Sequence, residues 1–503
     1  MERMIKNVLE WLEATVEVCP KKPVYLEKEN SLSFAEVERM AKSIGSALLS
    51  VKETAPVAVI SGRNIETIPA YLGIVYSGHA YAPIDGTLPR RRIETIVSML
   101  HPSAILADGQ YADLAQELSD GNVPVFLLDQ ASHAGIDQER LDEIRNAMVM
   151  TDPLYVIFTS GSTGKPKGVV TSHQSLICYI ESYAQVMRID ENDRMGNQSP
   201  LDYIAAIRDI YLPLYKGASS VIIPKEYFME PNRLFEFMNA FNVTSVGWSV
   251  SAFTVLTSLG AFEEVSLSTL KKVCFSGSVM PPSCLSVWQK HLPDAAFVNQ
   301  YGPTEATASC TYYVVDHTVT PDEQLPIGVP YQNYKVFLLN DDLTETKRGE
   351  IGEICVSGPI LALGYYHDPE RTGQNFVMNP NCKAYPERMY RTGDYGRVRE
   401  DGILEFHGRM DRQIKHMGHR VELDEIEYAA NQVDGIAESA VLYHKEKETL
   451  YLFYAGNIEK RVLILELRKV LPGFMVPRKV VPMESLPKLA NGKIDMNTLK
   501  EEM

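Results

Sequence analysis

Apolar residues recur at helical spacing through LSFAEVERMAKSIGSALL, from Leu32, and Ser33 followed by Glu36 three residues on predicts a capping box at the start of that helix. Beyond it the period changes. Short β-branched runs such as PVAVI and SAILA alternate with helical stretches such as ETIPAYLGIVYSGHAYAPID, the arithmetic of βαβ units and parallel sheets. Between Thr318 and Gly408 the pieces YKVFLL, GEICVSG and ILEFHG are broken by Gly, Asn and Asp and predict a smaller β-rich unit. After Asp411, DEIEYAANQV and KRVLILELRKVL read as helices, with ESAVLYHK and TLYLFYAG as paired strands. The expected class is therefore α/β: a large N-terminal portion of several subdomains, residues 1–410, with its β-rich part at about 318–408, then a small α+β domain at 411–503. There is no internal repeat and no low-complexity segment.

Composition narrows the partners. A chain of 503 residues exceeds one hydrophobic core, and 45% apolar with 23% charged residues is ordinary globular content. The formal charge of -16 opposes nucleic acid and anionic lipid, so any phosphate-binding patch has to be local. The seven cysteines lie far apart, with no CxxC and no Cys/His cluster at metal-ligand spacing, as expected of free thiols in a reducing compartment. The N-terminal MERMIKNVLEWLEATVEV is charged and helix-periodic, unlike a signal peptide, and no apolar run reaches the roughly 20 residues a spanning helix needs. A soluble, cytoplasmic protein is expected.

One segment carries obvious phosphate chemistry. YVIFTSGSTGKPKGVV, Tyr155 to Val170, places a loop of small hydroxyl and Gly residues with two lysines between two strand runs. Glycines let backbone amides approach an anion, hydroxyls donate to phosphate oxygens and lysine neutralises charge, so Thr159, Ser160, Gly161, Ser162, Thr163, Gly164 and Lys167 read as a triphosphate cradle. It is not GxxxxGK[ST].

With this loop the sequence resembles the adenylate-forming superfamily of acyl-CoA synthetases, luciferases and nonribosomal peptide synthetase adenylation domains, and the resemblance extends over nearly the whole chain. NQYGPTEAT, Asn299 to Thr307, resembles the family's aromatic-and-acid motif. The resemblance implies that Tyr301, beside Asn299 and Gly302, stacks on adenine, Thr304 touches the α-phosphate and Glu305 holds Mg²⁺, an aromatic face, a hydroxyl and a carboxylate suiting those three tasks. YRTGDYGR implies Asp394 as the acceptor of both ribose hydroxyls. GRMDRQIKHMGHRVELDEIE implies Arg409 as a second nucleotide contact and Asp411 as a hinge about which a mobile C-terminal domain swings between adenylation and thioester formation. LPKLANGKID supplies Lys493, which by resemblance stabilises the charge that develops during adenylation. Singly, each Lys, Asp or Tyr would be an ion pair or a core ring. Five motifs in family order make an ATP- and Mg²⁺-dependent ligase the expectation.

The acceptor and the acid are read from finer wording. AYAPID, YGPTEAT and GHRVELDEIE are similar to amino-acid adenylation domains and D-alanine:carrier-protein ligases, and the chain stops soon after Lys493, so a separate carrier protein bearing a phosphopantetheine thiol is the expected partner. A CoA ligase is the alternative, and a non-catalytic nucleotide-binding relative is opposed by Lys493, Glu305 and Asp394. Relatives that take α-amino acids hold the ammonium with an Asp in FDxS. Counting back from Lys216, Gly217 and Ala218 puts Ile204 at that place, and an ammonium facing isoleucine would lose hydration without a partner. Asp202 lies two residues earlier, where a shifted carboxylate would meet an amine one carbon further along, as in a β-amino acid. An aryl or other amine-free acid in an apolar pocket remains the other reading. The resemblance further implies a pocket lined by Gly247, Trp248, Cys274, Ser276, Gly277, Gln300, Ala308 and Ser309, with small residues at 247 and 308 leaving space. Arg208, one turn beyond Ile204, either faces that pocket and binds a substrate carboxylate, or pairs with nearby Asp209 or lies exposed at the surface, the reading favoured for a lone arginine. Ser276 stands where the D-alanine ligases carry Cys, which with Ile204 argues against D-alanine.

Overall fold

The computed structural model describes residues 5–161, 165–409, 412–445, 447–488 and 494–503. Two compact units emerge: Met1–Gly86 with Leu100–Ile157 and Gly168–Met410, and Thr87–Met99 with Phe158–Lys167 and Asp411–Met503. The second unit thus gathers two stretches from before residue 410 by long-range contacts that no local pattern announces. Among the described residues no helix is long and apolar enough to cross a membrane.

The fold is mixed α/β, organised on two large sheets. In the nine-stranded sheet, Pro23–Leu26, Ser219–Ile222, Arg194–Asn197, Ser245–Ser249, Lys272–Ser276 and Ala296–Tyr301 run parallel, and antiparallel strands Thr311–Val315, Val329–Pro330 and Ser31–Ser33 form its ends. The seven-stranded sheet is built around Val57–Ser61, Tyr81–Asp85, Ala104–Ala107 and Pro153–Thr159. Their central parallel strands are buried on both faces, as parallel sheets covered by helices require. The helix Phe34–Leu48 opens on the anticipated capping box: the Ser33 amide donates to Glu36 at 2.8 Å and the Glu36 amide to Ser33 Oγ at 3.4 Å. The single long helix suggested by ETIPAYLGIVYSGHAYAPID divides. Thr67–Tyr76 is helical, Gly78 turns the chain at φ +83°, and Tyr81–Asp85 is a strand.

A five-stranded antiparallel sheet lies between Lys335 and Arg409, where the Gly- and Asn-broken texture occurs. In the second unit a hairpin, Gln413–His416 with His419–Glu422, turns at Met417 (φ 50°) and Gly418 (φ 81°). It precedes a three-stranded sheet and the helices Leu423–Asn431 and Lys460–Arg468, closed around Ile426, Leu452 and Leu463.

Candidate active site

The strand Ala296–Tyr301 leads straight into the turn Thr304–Ala306, and this junction concentrates polar groups that a core alone would not need. Asp394, on Arg388–Val398, receives the Tyr301 hydroxyl at 2.5 Å and pairs with Arg409 Nη1 at 2.5 Å. Burial, and then the Asp394 charge, push the Tyr301 phenol well above its usual range, so it remains a neutral donor. Phe406 lies 6.1 Å from the Tyr301 ring. Glu305 is fully buried and accepts the Tyr365 hydroxyl at 2.7 Å, and Thr304 is buried beside it. The family-implied residues Tyr301, Thr304, Glu305, Asp394 and Arg409 therefore share one region. Tyr365 and Phe406 were not singled out in the sequence; GYY in ILALGYYHDP was the available signal for the first.

The backbone here is forced. Thr307 and Ala308 sit at φ 42° and 72°, a strained conformation for residues with a Cβ. Gly302 packs so closely that a Cβ on it would stand 2.5 Å from Ser309 Cα and 2.7 Å from the Cys310 nitrogen, both backbone atoms. Gly302→Ala is expected to lower stability by about 1–3 kcal/mol, as overpacking does, and denaturant unfolding measures it.

Asn299 lies on the opposite sheet face from Gln300 and donates its amide to the Pro326 carbonyl at 2.8 Å, holding a loop.

In the phosphate loop the buried Thr159 hydroxyl has no hydrogen-bond partner among the described residues, and Lys167 is buried. Ser160 Oγ donates to the Arg420 carbonyl at 2.6 Å. The Gly161 amide donates to Glu425 Oε2 at 3.2 Å, and Glu425 is paired with Arg92. A carboxylate thus stands in for an anion on the loop, and the free Thr159 hydroxyl suits a phosphate oxygen. Glu425 lies in the DEIE run, which the sequence marks as helix and as part of the hinge motif without singling out this residue. Ser162, Thr163, Gly164, Asp411 and Lys493 lie outside the described residues.

The proposed acid pocket follows sheet alternation. Gly247 pairs with Cys274, and Ser276 with Gln300, so the four share a face, while Trp248 and Phe275 take the other. Trp248 is thereby corrected: its ring packs on Phe253 and Trp288 in a separate core and its indole donates to the Gly196 carbonyl at 2.8 Å, away from Gly247. The space expected at Gly247 is also corrected. A Cβ there would meet Arg208 Cζ at 3.1 Å, Arg208 Nε at 3.2 Å and the Tyr183 hydroxyl at 3.2 Å, because the guanidinium already fills it.

Arg208 is 2% exposed and its Nη2 donates to the Gly247 carbonyl at 2.9 Å, so it lies against the Gly247 and Cys274 face and makes no ion pair with Asp209. Asp209 instead accepts the Asn197 amide at 2.8 Å, and its burial pushes the carboxyl up to about 6 against the pull of Arg208. Ser309 Oγ donates to Gln300 Oε1 at 3.3 Å. Gly277 (φ +96°) faces open space, Ala308 is half-buried, and Ile204 is buried in the apolar cluster. Asp202 is half-buried; its Oδ2 accepts the Asp85 amide at 3.3 Å. Burial, then the neighbouring Asp85 charge, push its carboxyl up to about 7.

The chain belongs to the AMP-binding enzyme family, whose model matches residues 12–366. It is 29% identical over 508 residues to tyrocidine synthase 1 of Brevibacillus parabrevis, covering 99% of this chain and 45% of that protein. It is 32% identical over 473 residues to surfactin synthase subunit 2 of Bacillus subtilis (strain 168), covering 92% of this chain and 13% of that protein. The chain thus spans less than half the length of these relatives. In fold it is similar to a Vibrio cholerae adenylation domain solved with glycyl-adenosine-5'-phosphate, with a TM-score of 0.85 at 22% identity, covering 100% of this chain and 98% of that one. A fused adenylation–PCP di-domain from Klebsiella oxytoca gives 0.82 at 20% identity, covering 99% and 96%.

Proposed function

We propose that this protein activates a small carboxylic acid, a β-amino acid in the favoured reading, as its acyl adenylate and passes the acyl group to the phosphopantetheine thiol of a separate carrier protein. A carboxylate oxygen of the acid attacks the α-phosphorus of ATP, the bond to the β-phosphate breaks and pyrophosphate leaves. The carrier thiolate then attacks the acyl carbon, and AMP leaves with the bridging oxygen. Family membership and the Asp394, Tyr301 and Arg409 cluster support the first step: Asp394, held between the Tyr301 hydroxyl and Arg409, offers the acceptor a ribose diol needs. Glu305, a buried hard-oxygen donor, would hold Mg²⁺, which would supply charge neutralisation on the triphosphate. Thr159, Ser160, Gly161, Ser162, Thr163, Gly164 and Lys167 receive the phosphates, Thr304 touches the α-phosphate, Lys493 answers the developing charge and Asp411 is the hinge. The adenylation–PCP fusion among the similar folds supports a carrier partner.

Asp202 is the observation that carries the β-amino reading: it is a carboxylate held in place by the Asp85 amide, next to an Ile204 that has no partner for an α-ammonium. Asp202→Asn is expected to lower kcat/KM for an amino substrate about tenfold to a hundredfold, the weight of a charge-assisted hydrogen bond, and to spare an amine-free analogue. Because the Asp202 carboxyl sits near pH 7, kcat/KM for the amino substrate rises as pH increases through about 7 and the carboxylate forms. Pyrophosphate-exchange rates across that range test this; an unchanged profile in Asp202→Asn would transfer the reading to amine-free acids.

A further inference from the structure

Among the described residues Arg208 is a buried cation with no ion-paired carboxylate. Its Nη2 donates to the Gly247 carbonyl at 2.9 Å and its Nη1 reaches Gln300 Oε1 at the long distance of 3.4 Å. Tyr183 presents its ring 5.5 Å from the guanidinium carbon. Arg208 Nε has no hydrogen-bond partner among the described residues, nor has Gln300 Nε2. No carboxylate among them ion-pairs with Arg208, and the adjacent Asp209 is turned to Asn197. Cys274, at 4.0 Å from Nη1, is no counter-ion, since burial pushes its thiol up to about 11 and leaves it neutral.

A guanidinium does not deprotonate, and a buried charge is retained where something pairs with it. Two buried N–H donors lack a partner among the described residues, one of them on a permanent cation whose Nη1 reaches Gln300, and they ask for an acceptor bearing negative charge. A purely structural arginine would place Nε on an internal acceptor.

We propose that the acid this enzyme activates is a dicarboxylic acid, one carboxylate being adenylated while the other stays ionised on Arg208 with Gln300 Nε2 as its second donor. This rests on reading the Gly247, Cys274 and Gln300 face as the acid pocket. The second carboxylate undergoes no bond change and acts only in selection.

Pyrophosphate exchange by the wild-type protein with succinate and glutarate, with and without a 3-amino group, is compared with exchange on their monoamides. The diacids are expected to be preferred about 10- to 100-fold in kcat/KM, the range of one charge-assisted pair. Arg208→Gln is expected to erase the diacid preference through KM, and Arg208→Lys to restore part of it. If the monoamides match the diacids, or Arg208→Gln slows both alike, the inference falls and the adenylation reading stands. Should wild type exchange pyrophosphate with no acid at all, diacid, monoamide, β-amino or aryl, both fall. The wild-type comparison decides even if the variants fail to fold.

Discussion

Asp394→Ala is expected to reduce acid-dependent pyrophosphate exchange several hundredfold, with KM for ATP rising more than KM for the acid. The carboxylate is 5% exposed and is the partner of both Arg409 and the Tyr301 hydroxyl. Its removal takes the acceptor from the ribose and also takes from Arg409 its buried carboxylate partner, a loss of about 3–5 kcal/mol when one member of a buried pair is deleted. Asp394→Asn should recover part of the stability, since the amide still accepts from Arg409, without recovering ATP affinity. Equal ATP KM in wild type and Asp394→Ala would remove the ribose role.

A second large effect is expected at Glu305. Glu305→Ala should lower kcat/KM for Mg-ATP about 10²- to 10³-fold, comparable to deleting one preorganised electrostatic contact in an active site. Raising the Mg²⁺ concentration should recover part of the loss in Glu305→Gln, which keeps a neutral oxygen ligand, and none in the alanine variant. The Tyr365 hydroxyl gives a control: Tyr365→Phe removes the 2.7 Å hydrogen bond but no metal ligand, so its Mg²⁺ dependence should stay close to wild type. A Mg²⁺ titration that is the same for Glu305→Gln and wild type would count against the assignment.

Local signals were legible where one short stretch determines the outcome. Ser33 and Glu36 announce their capping box, and the loop and motif wording identifies Tyr301, Glu305 and Asp394, because the ligand chemistry demands those residue types. Trp248 was not legible in the same way. Counting along a motif assigns neighbouring positions alike, whereas a strand sends Gly247 and Trp248 to opposite faces, and only register against Cys274 and Phe275 says which face is which. Arg208 raised a different difficulty, since sequence proximity favoured Asp209, but a side chain next along a helix points elsewhere, and Asp209 meets Asn197. The grouping of Thr87–Met99 and Phe158–Lys167 with residues beyond 410 depends on contacts such as Arg92 with Glu425, separated by hundreds of positions.

The missing Cβ at residue 247 and the guanidinium of residue 208 occupy a single shared volume. Neither position has an independent meaning for selectivity. Enlarging 247 alone evicts the cation, and shortening 208 alone opens a hole that water or a longer acid would enter. Any path from this pocket to one that accepts a bulkier neutral acid therefore has to cross an intermediate that is worse than either end, unless both codons change together. A single change at 208 is enough to lose a preference, but gaining one for a bulkier neutral acid requires both positions, so a survey of one-residue variants would underestimate how far the pocket can be redesigned.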